Sequence, residues 1–223
     1  IWDMYDPSPR PGLVPYRDRF DIEERTRSNG DIETPLNEEQ ARDVVRIVKR
    51  RGIKVIAICF LHSYANNTNE KRMKEIVEED YPGATVVVSH ETVPRIYEYE
   101  RFTTTILNAT LMPIMGAYLD ALEGSMAQKG YRRDVLIAQS GGGLMSVGVA
   151  KAIPVRTANS GPAAGAVAGA EIGRMAGHLN VIGLDMGGTS ADISVTADGK
   201  LRTVQSWHVE WGHPIMFPAI DVV

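Results

Sequence analysis

Residues 180–200 read NVIGLDMGGTSADISVTADGK: an apolar run, an acid, two glycines followed by two hydroxyl residues, then a second, alternating apolar run. Two readings fit this stretch. In one, NVIGLDM and ADISVT are strands joined by a plain tight hairpin. In the other, the turn holds a phosphate. Gly187 and Gly188 lack side chains and so let backbone N–H groups approach an anion closely. Thr189 and Ser190 add hydroxyl donors, and Asp185 offers a hard oxygen to a magnesium ion or one of its waters. The turn is not a P-loop, because no lysine follows the glycines, and it lacks the GxGxxG dinucleotide spacing. Spacing alone leaves both readings open.

Working outward, SGPAAGAVAGAEIGRMAG (160–177) reads as a tightly packed helix started by Ser160 and the nearby Pro162. Asp198-Gly199 turns the chain into a third strand, KLRTVQSWHVE. Upstream, DVLIAQS (134–140) reads as a short strand ending in Gly141-Gly142-Gly143, a loop that is either a second anion nest or plain connection. Residues 144–152 read as a short helix. Residues 97–129 are helical in pattern, with Pro113 marking a kink or a break. Within them Glu98, Arg101 and Thr105 share a face, which predicts a Glu98–Arg101 pair. Nearer the start, Ser28-Asn29-Gly30 predicts a hairpin over 17–34. Asn37 and Gln40 resemble a capping box opening a helix to Arg51, with Ala41, Val44, Val45 and Val48 on one face. KVIAICF (54–60) suits a buried, parallel strand, followed by a helix over 68–80 and a strand at ATVVVS. Strand, helix and strand in alternation predict an α/β layer.

The chain has 223 residues, 43% hydrophobic and 23% charged, with a net charge of −4. Mixed charge of that size advertises neither a nucleic-acid nor a membrane surface. No uninterrupted apolar run reaches the ~18 residues of a spanning helix. The single cysteine, Cys59, excludes intrachain disulfides and, in an apolar strand, makes a poor nucleophile; it fits a reducing, cytoplasmic setting. The five histidines show no HExxH-type spacing, and there is no GxSxG elbow. The proline-rich opening reads as an interdomain connection and the apolar last residues as an internal stretch, so a piece of a longer protein is expected.

The ordered set PGLVPYRDRF, AICFLHSYANNTNE, VPRIYEYERFTTTILNA, QSGGGLMS, SGPAAG and LDMGGTSADIS resembles the hydantoinase A and 5-oxoprolinase family along most of the chain. That family is similar to the actin, sugar-kinase and heat-shock-chaperone ATPases. The resemblance implies a partial ribonuclease H-like α/β fold with mixed sheets flanked by helices. It divides the chain into a linker and hairpin (1–36), an α/β portion (37–158), and a connecting helix with a phosphate-binding meander (159–223). It implies an ATP-dependent hydrolase of cyclic amides, in which phosphorylation of the amide or carbonyl oxygen precedes attack. ATP with Mg2+ or Mn2+, a small-molecule substrate, a hydantoinase B-type partner subunit and a homo- or hetero-oligomer come with it. Asp185 is then the catalytic and metal-holding acid, Asp192 a second metal ligand, and Gly187, Gly188, Thr189 and Ser190 the phosphate cradle. The alternative is a subunit or assembly module of an ATP-dependent ketone carboxylase, non-catalytic in isolation. Two departures stand out. A second Asp-x-Gly-Gly-Thr is absent from 1–184, and QSGGG has Gly141 where the resemblance leads one to expect Asn.

Overall fold

Asn37 sits where the sequence wants a cap, and the first elements are ordered around it. In the computed structural model, which describes residues 12–188, 190–209 and 212–223, Asn37 Oδ1 accepts the Gln40 N–H at 3.1 Å and starts α1 (Glu38–Arg50). Only half of the predicted capping box forms. The Asn37 N–H goes to the Glu23 carbonyl, and the Gln40 side chain instead accepts from the Glu23 N–H and donates to the Asp21 carbonyl. The cap therefore also fastens the preceding segment. That segment holds the predicted hairpin in shortened form, β1 (Arg25–Thr26) against β2 (Ile32–Thr34), with Gly30 at φ +92° in its turn. Tyr16–Asp18 is a 3-10 turn and not strand.

The chain divides into two units, Ile1–Pro113 with His208–Ile215 and Ile114–Trp207 with Met216–Val223. In the first, β3 (Val55–Ile58) and β4 (Thr85–Val88) pair in parallel from Val55↔Thr85 to Ile58↔Val88, joined by α2 (Thr68–Asp80). This is the predicted strand–helix–strand layer. Its core is Leu36, Ala41, Val45, Ile58, Met73, Ile76, Val77 and Val88, so the periodic apolar face of α1 is the face that packs. Arg72 bridges α2 to Glu38 on α1, and Arg42 returns the tie to Glu79 and Asp80. After the short helix α3 (Ser89–Thr92), α4 (Glu98–Gln128) runs through Pro113, so of the expected kink or break the break does not occur. By length and composition α4 is apolar enough to cross a bilayer. Arg101, Thr104, Thr105 and Asn108 on it are nonetheless buried within the protein.

The carboxyl ends of β3 and β4 enclose a charge that the sequence did not announce. Glu70 is fully buried and accepts four hydrogen bonds. The Phe60 N–H (2.8 Å) and Ser89 hydroxyl (2.6 Å) reach Oε1, and the His90 N–H (3.0 Å) and Nδ1 (2.7 Å) reach Oε2. Burial pushes its pKa up, but the bonds from His90, Ser89 and the two backbone N–H groups outweigh that and hold it below the ordinary carboxylate value. Arg101, expected to pair with Glu98 on a helix face, is buried beside this centre and donates to the Phe60 and Arg95 carbonyls. Cys59 is free, and burial pushes its thiol pKa well above the usual value, as expected of an inert core thiol.

In the second unit, β5 (Leu136–Ala138) forms a hairpin with β6 (Leu144–Ser146). The short helix expected over 144–152 is therefore half strand: Ser146 caps α5 (Val147–Ala152) at the Val149 N–H. Leu119, Met145, Val147 and Ala150 form the core beneath the second half of α4. Then come α6 (Ser160–Met175), β7 (Val181–Met186) and β8 (Ala191–Ala197), in a sheet ordered β7, β8, β9 (Lys200–Leu201). The expected long third strand is broken into β9, β10 (Thr203–Val204) and β11 (Trp207–His208); β12 (Pro214–Ile215) and β13 (Ala219–Ile220) follow. The second unit pairs β10 with β13, and Val223 exchanges both backbone hydrogen bonds with Ile193 on β8. The expected α/β fold with helices flanking sheets is the observed one, but the sheets described are small and not mixed: β3–β4 is parallel, while β1–β2, β5–β6, β7–β8–β9 and β10–β13 are antiparallel.

Candidate functional site

Glycine spacing on α6 decides how the helix meets the sheet. A β-carbon at Gly173 would collide with Val181, and one at Gly165 would stand 2.8 Å from Asp185 Oδ2. Eight helical residues rise about 12 Å and four strand residues about 13 Å, so α6 and β7 lie side by side in matching lengths and opposite directions. The amino end of α6 therefore lies at the same end as the turn after β7. The small-residue helix, read from sequence only as tightly packed, is small because it closes onto β7. Sequence reasoning missed Gly165 as a neighbour of Asp185; its four-residue phase with Gly169 and Gly173 was the available signal.

Met186↔Ala191 is the last pair of the hairpin, and the Gly187 N–H donates to the Ser190 carbonyl at 3.0 Å to close a four-residue loop. Thr189 lies outside the described residues. Gly187, Gly188 and Ser190 are exposed. Neither glycine has a positive φ, and a β-carbon at Gly188 would meet nothing within 4 Å. Among the described residues, neither the turn's φ values nor packing requires glycine there, and the two bare positions leave the backbone open to close approach.

Asp185 and Asp192 stand directly opposite each other in the β7–β8 register. Side chains so placed have β-carbons about 5 Å apart, and like charges there repel by roughly 0.2–1 kcal/mol. Among the described residues neither carboxylate is in an ion pair. The two face the helix side of the sheet, as the Asp185–Gly165 approach shows. At the start of α6, Asn159 is left-handed (φ 59°) and its side chain makes no capping bond. An uncapped helix start presents N–H groups and the positive end of the dipole. Two acids, bare amides and a hydroxyl at one end of one sheet form a hard-oxygen and anion-binding donor set, and this fits a magnesium phosphate better than a soft metal. No three-residue cluster of His, Cys, Asp and Glu suited to a metal occurs among the described residues.

The Gly141-Gly142-Gly143 loop has a different explanation. Gly142 has φ +80°, and a β-carbon there would press on Ile220 Cδ1 and Val167 Cγ2. Gly141 lies against the Pro218 carbonyl. Ser140, buried before them, bonds the Arg156 and Ala158 carbonyls through its hydroxyl and accepts the Ile220 N–H at its own carbonyl. These glycines answer to packing and backbone shape. Gly142→Ala is expected to lower unfolding free energy by about 1–3 kcal/mol in a urea titration, from left-handed strain together with the clash.

Residues 101–223 match the Hydantoinase/oxoprolinase family profile, and residues 2–81 match the Hydantoinase/oxoprolinase N-terminal region. The chain belongs to the hydantoinase/oxoprolinase family. An uncharacterized protein of Methanocaldococcus jannaschii is 36% identical over 100% of this chain and 34% of its own length. The acetophenone carboxylase gamma subunit of Aromatoleum aromaticum is 35% identical over 81% of this chain and 25% of its own. The crystal structure of an ATP-dependent caprolactamase from Pseudomonas jessenii superposes with a TM-score of 0.87 at 32% identity, covering 100% of this chain and 32% of that one. This hydantoinase/oxoprolinase chain thus spans a quarter to a third of the length of these relatives. A carboxylase among them is named as one subunit of an assembly.

Proposed function

We propose that the 187–190 turn, with Asp185 and Asp192, forms the phosphate end of a magnesium–ATP site in an enzyme that opens cyclic amides. The carrying observation is the pair of exposed glycines that neither φ nor packing demands, beside two directly opposed carboxylates. In this reading the Gly188 N–H donates to a phosphate oxygen. Gly187, whose N–H holds the turn through the Ser190 carbonyl, leaves room for the phosphate, and the hydroxyls of Thr189 and Ser190 complete the cradle. Asp185 and Asp192 hold Mg2+ or Mn2+, whose charge also relieves their repulsion. Asp185 is the catalytic acid of the set, placed to orient whatever oxygen meets the phosphate. ATP supplies a phosphoryl group that converts a resonance-stabilised carbonyl oxygen into a leaving group. The chain's contribution is positioning and charge neutralisation. The ATP-dependent caprolactamase, similar over the whole chain, supports a lactam or related ring amide as the substrate class. The acetophenone carboxylase gamma subunit supports the second reading, an ATP-dependent ketone carboxylase, and with it work beside a partner such as a hydantoinase B-type subunit in a homo- or hetero-oligomer.

The test exploits the open space at Gly188. Gly188→Ala in the complete enzyme is expected to change unfolding free energy by no more than about 0.5 kcal/mol, as for a surface substitution away from special features. Lactam-dependent ATP turnover is expected to fall by tenfold or more, about the effect of disturbing one preorganised donor. Unchanged turnover refutes the phosphate cradle. A large loss of stability shows instead that the glycine serves the hairpin.

A further inference from the structure

Glycine is the poorest helix former after proline, yet α6 carries four, at 161, 165, 169 and 173. Gly173 has its reason in the close approach of Val181. A β-carbon at Gly161 or Gly169 would meet nothing within 4 Å. Gly165 alone among the four faces an acid. The three atoms nearest to its missing β-carbon all belong to Asp185: Oδ2 at 2.8 Å, Cγ at 3.7 Å and Cβ at 4.0 Å. The Asp185 carboxyl therefore lies where a side chain at 165 would stand, with Oδ2 turned to the helix and Oδ1 farther from it. Little else fixes this carboxyl. Asp185 is exposed, is in no ion pair among the described residues, and stands opposite the like charge of Asp192. An aspartate so placed has several staggered rotamers open to it, and the gap at Gly165 accommodates the one observed.

We propose that Gly165 is a positioning residue for the metal end of the site: its bare α-carbon seats the Asp185 carboxyl against α6 in one rotamer and leaves Oδ1 as the oxygen free to meet a cation. The inference rests on the reading of Asp185 as the metal-holding acid. Mg2+ demands near-ideal octahedral geometry, so a misplaced ligand is poorly tolerated. Groups that orient a metal ligand are typically worth about tenfold to a hundredfold in metal affinity or activity. A methyl group at 165 would press first on the far end of one exposed side chain, which can swing outward while the backbone stays where it is. Removing a helix glycine also favours the helix itself. The fold and the metal site are thus expected to respond in opposite directions to the same substitution.

Gly165→Ala, Gly169→Ala and Asp185→Asn are compared in the complete enzyme by thermal unfolding and by Mn2+ binding, read from the EPR signal of free Mn2+ with a non-hydrolysable ATP analogue present. Both alanine variants are expected to unfold at or above the wild-type temperature. Gly169→Ala, whose new methyl group meets nothing within 4 Å, is expected to bind Mn2+ as the wild type does. Gly165→Ala is expected to bind it about tenfold or more weakly. Adding Gly165→Ala to Asp185→Asn is expected to cause no further loss, because the glycine acts through that carboxylate. Equal weakening by both alanine variants overturns the inference, since it assigns the effect to a stiffer helix. Additive loss in the double variant overturns it too, as does a lowered unfolding temperature in Gly165→Ala, which assigns the glycine to packing. Wild-type binding in Gly165→Ala beside weak binding in Asp185→Asn overturns the positioning role alone. Wild-type binding in both variants removes the metal role of Asp185, and the inference falls with it.

Discussion

Asp185→Asn in the complete enzyme is expected to lower ATP turnover by about a hundredfold or more while stability holds or rises slightly. The two effects have different origins. Asp185 is exposed, and its carboxylate stands opposite that of Asp192, so neutralising it removes a repulsion worth roughly 0.2–1 kcal/mol and breaks no ion pair among the described residues. An Asn side chain is close in size and keeps the approach to Gly165 unchanged. What it lacks is the charge a hard cation needs, so the apparent requirement for Mg2+ should rise as turnover falls. Activity and stability moving in opposite directions is the signature of a functional acid. Thermal unfolding and a magnesium titration of ATP turnover on the same preparations measure both. Unchanged turnover, or a fall in turnover matched by unfolding, refutes the role.

How much of this was legible in the sequence differs by element. Helix α1, the parallel β3–β4 pair and the β7–β8 hairpin were readable because each is set by local patterning: an apolar stripe with a cap, a β-branched run, alternation about a glycine turn. Leu144–Ser146 was misread as helix because a three-residue strand carries no period; its pairing with Leu136–Ala138 is a tertiary fact. KLRTVQSWHVE looked continuous, yet its parts take different partners, Lys200–Leu201 pairing back onto Thr196–Ala197 and Thr203–Val204 pairing forward with Ala219–Ile220. At the candidate site, the sequence supplied the residue types at 185–192. The direct opposition of the two acids required the register, and the reason for Gly165 required the approach of α6. The two glycine loops looked alike in sequence, and only φ and neighbouring atoms separate Gly142, held by packing, from Gly188, which meets no packing among the described residues.

Glu70 is the sharpest case of a residue that patterning cannot find, and it carries the largest expected stability effect. In the sequence it is one acid among several on α2; in the structure it is a fully buried carboxylate binding the ends of β3 and β4. Glu70→Ala leaves the Phe60 and His90 N–H groups, the Ser89 hydroxyl and His90 Nδ1 without their acceptor. Breaking a buried charged network from one side costs about 3–5 kcal/mol, which for the first unit is a large share of the 5–15 kcal/mol of a typical domain. Glu70→Gln keeps one oxygen acceptor and should cost less. The pH dependence follows from the lowered pKa. Because the folded value lies below the unfolded one of about 4.3, the folded state binds fewer protons, and the contribution is fully present above the unfolded value. It is lost as pH falls from there through the folded value, when the carboxyl takes a proton amid four donors. Urea unfolding followed by circular dichroism at pH 7 and below pH 4 should therefore show the wild type losing more stability than Glu70→Gln, which has no charge to lose. Parallel losses in the two proteins would show that the network is held by shape alone.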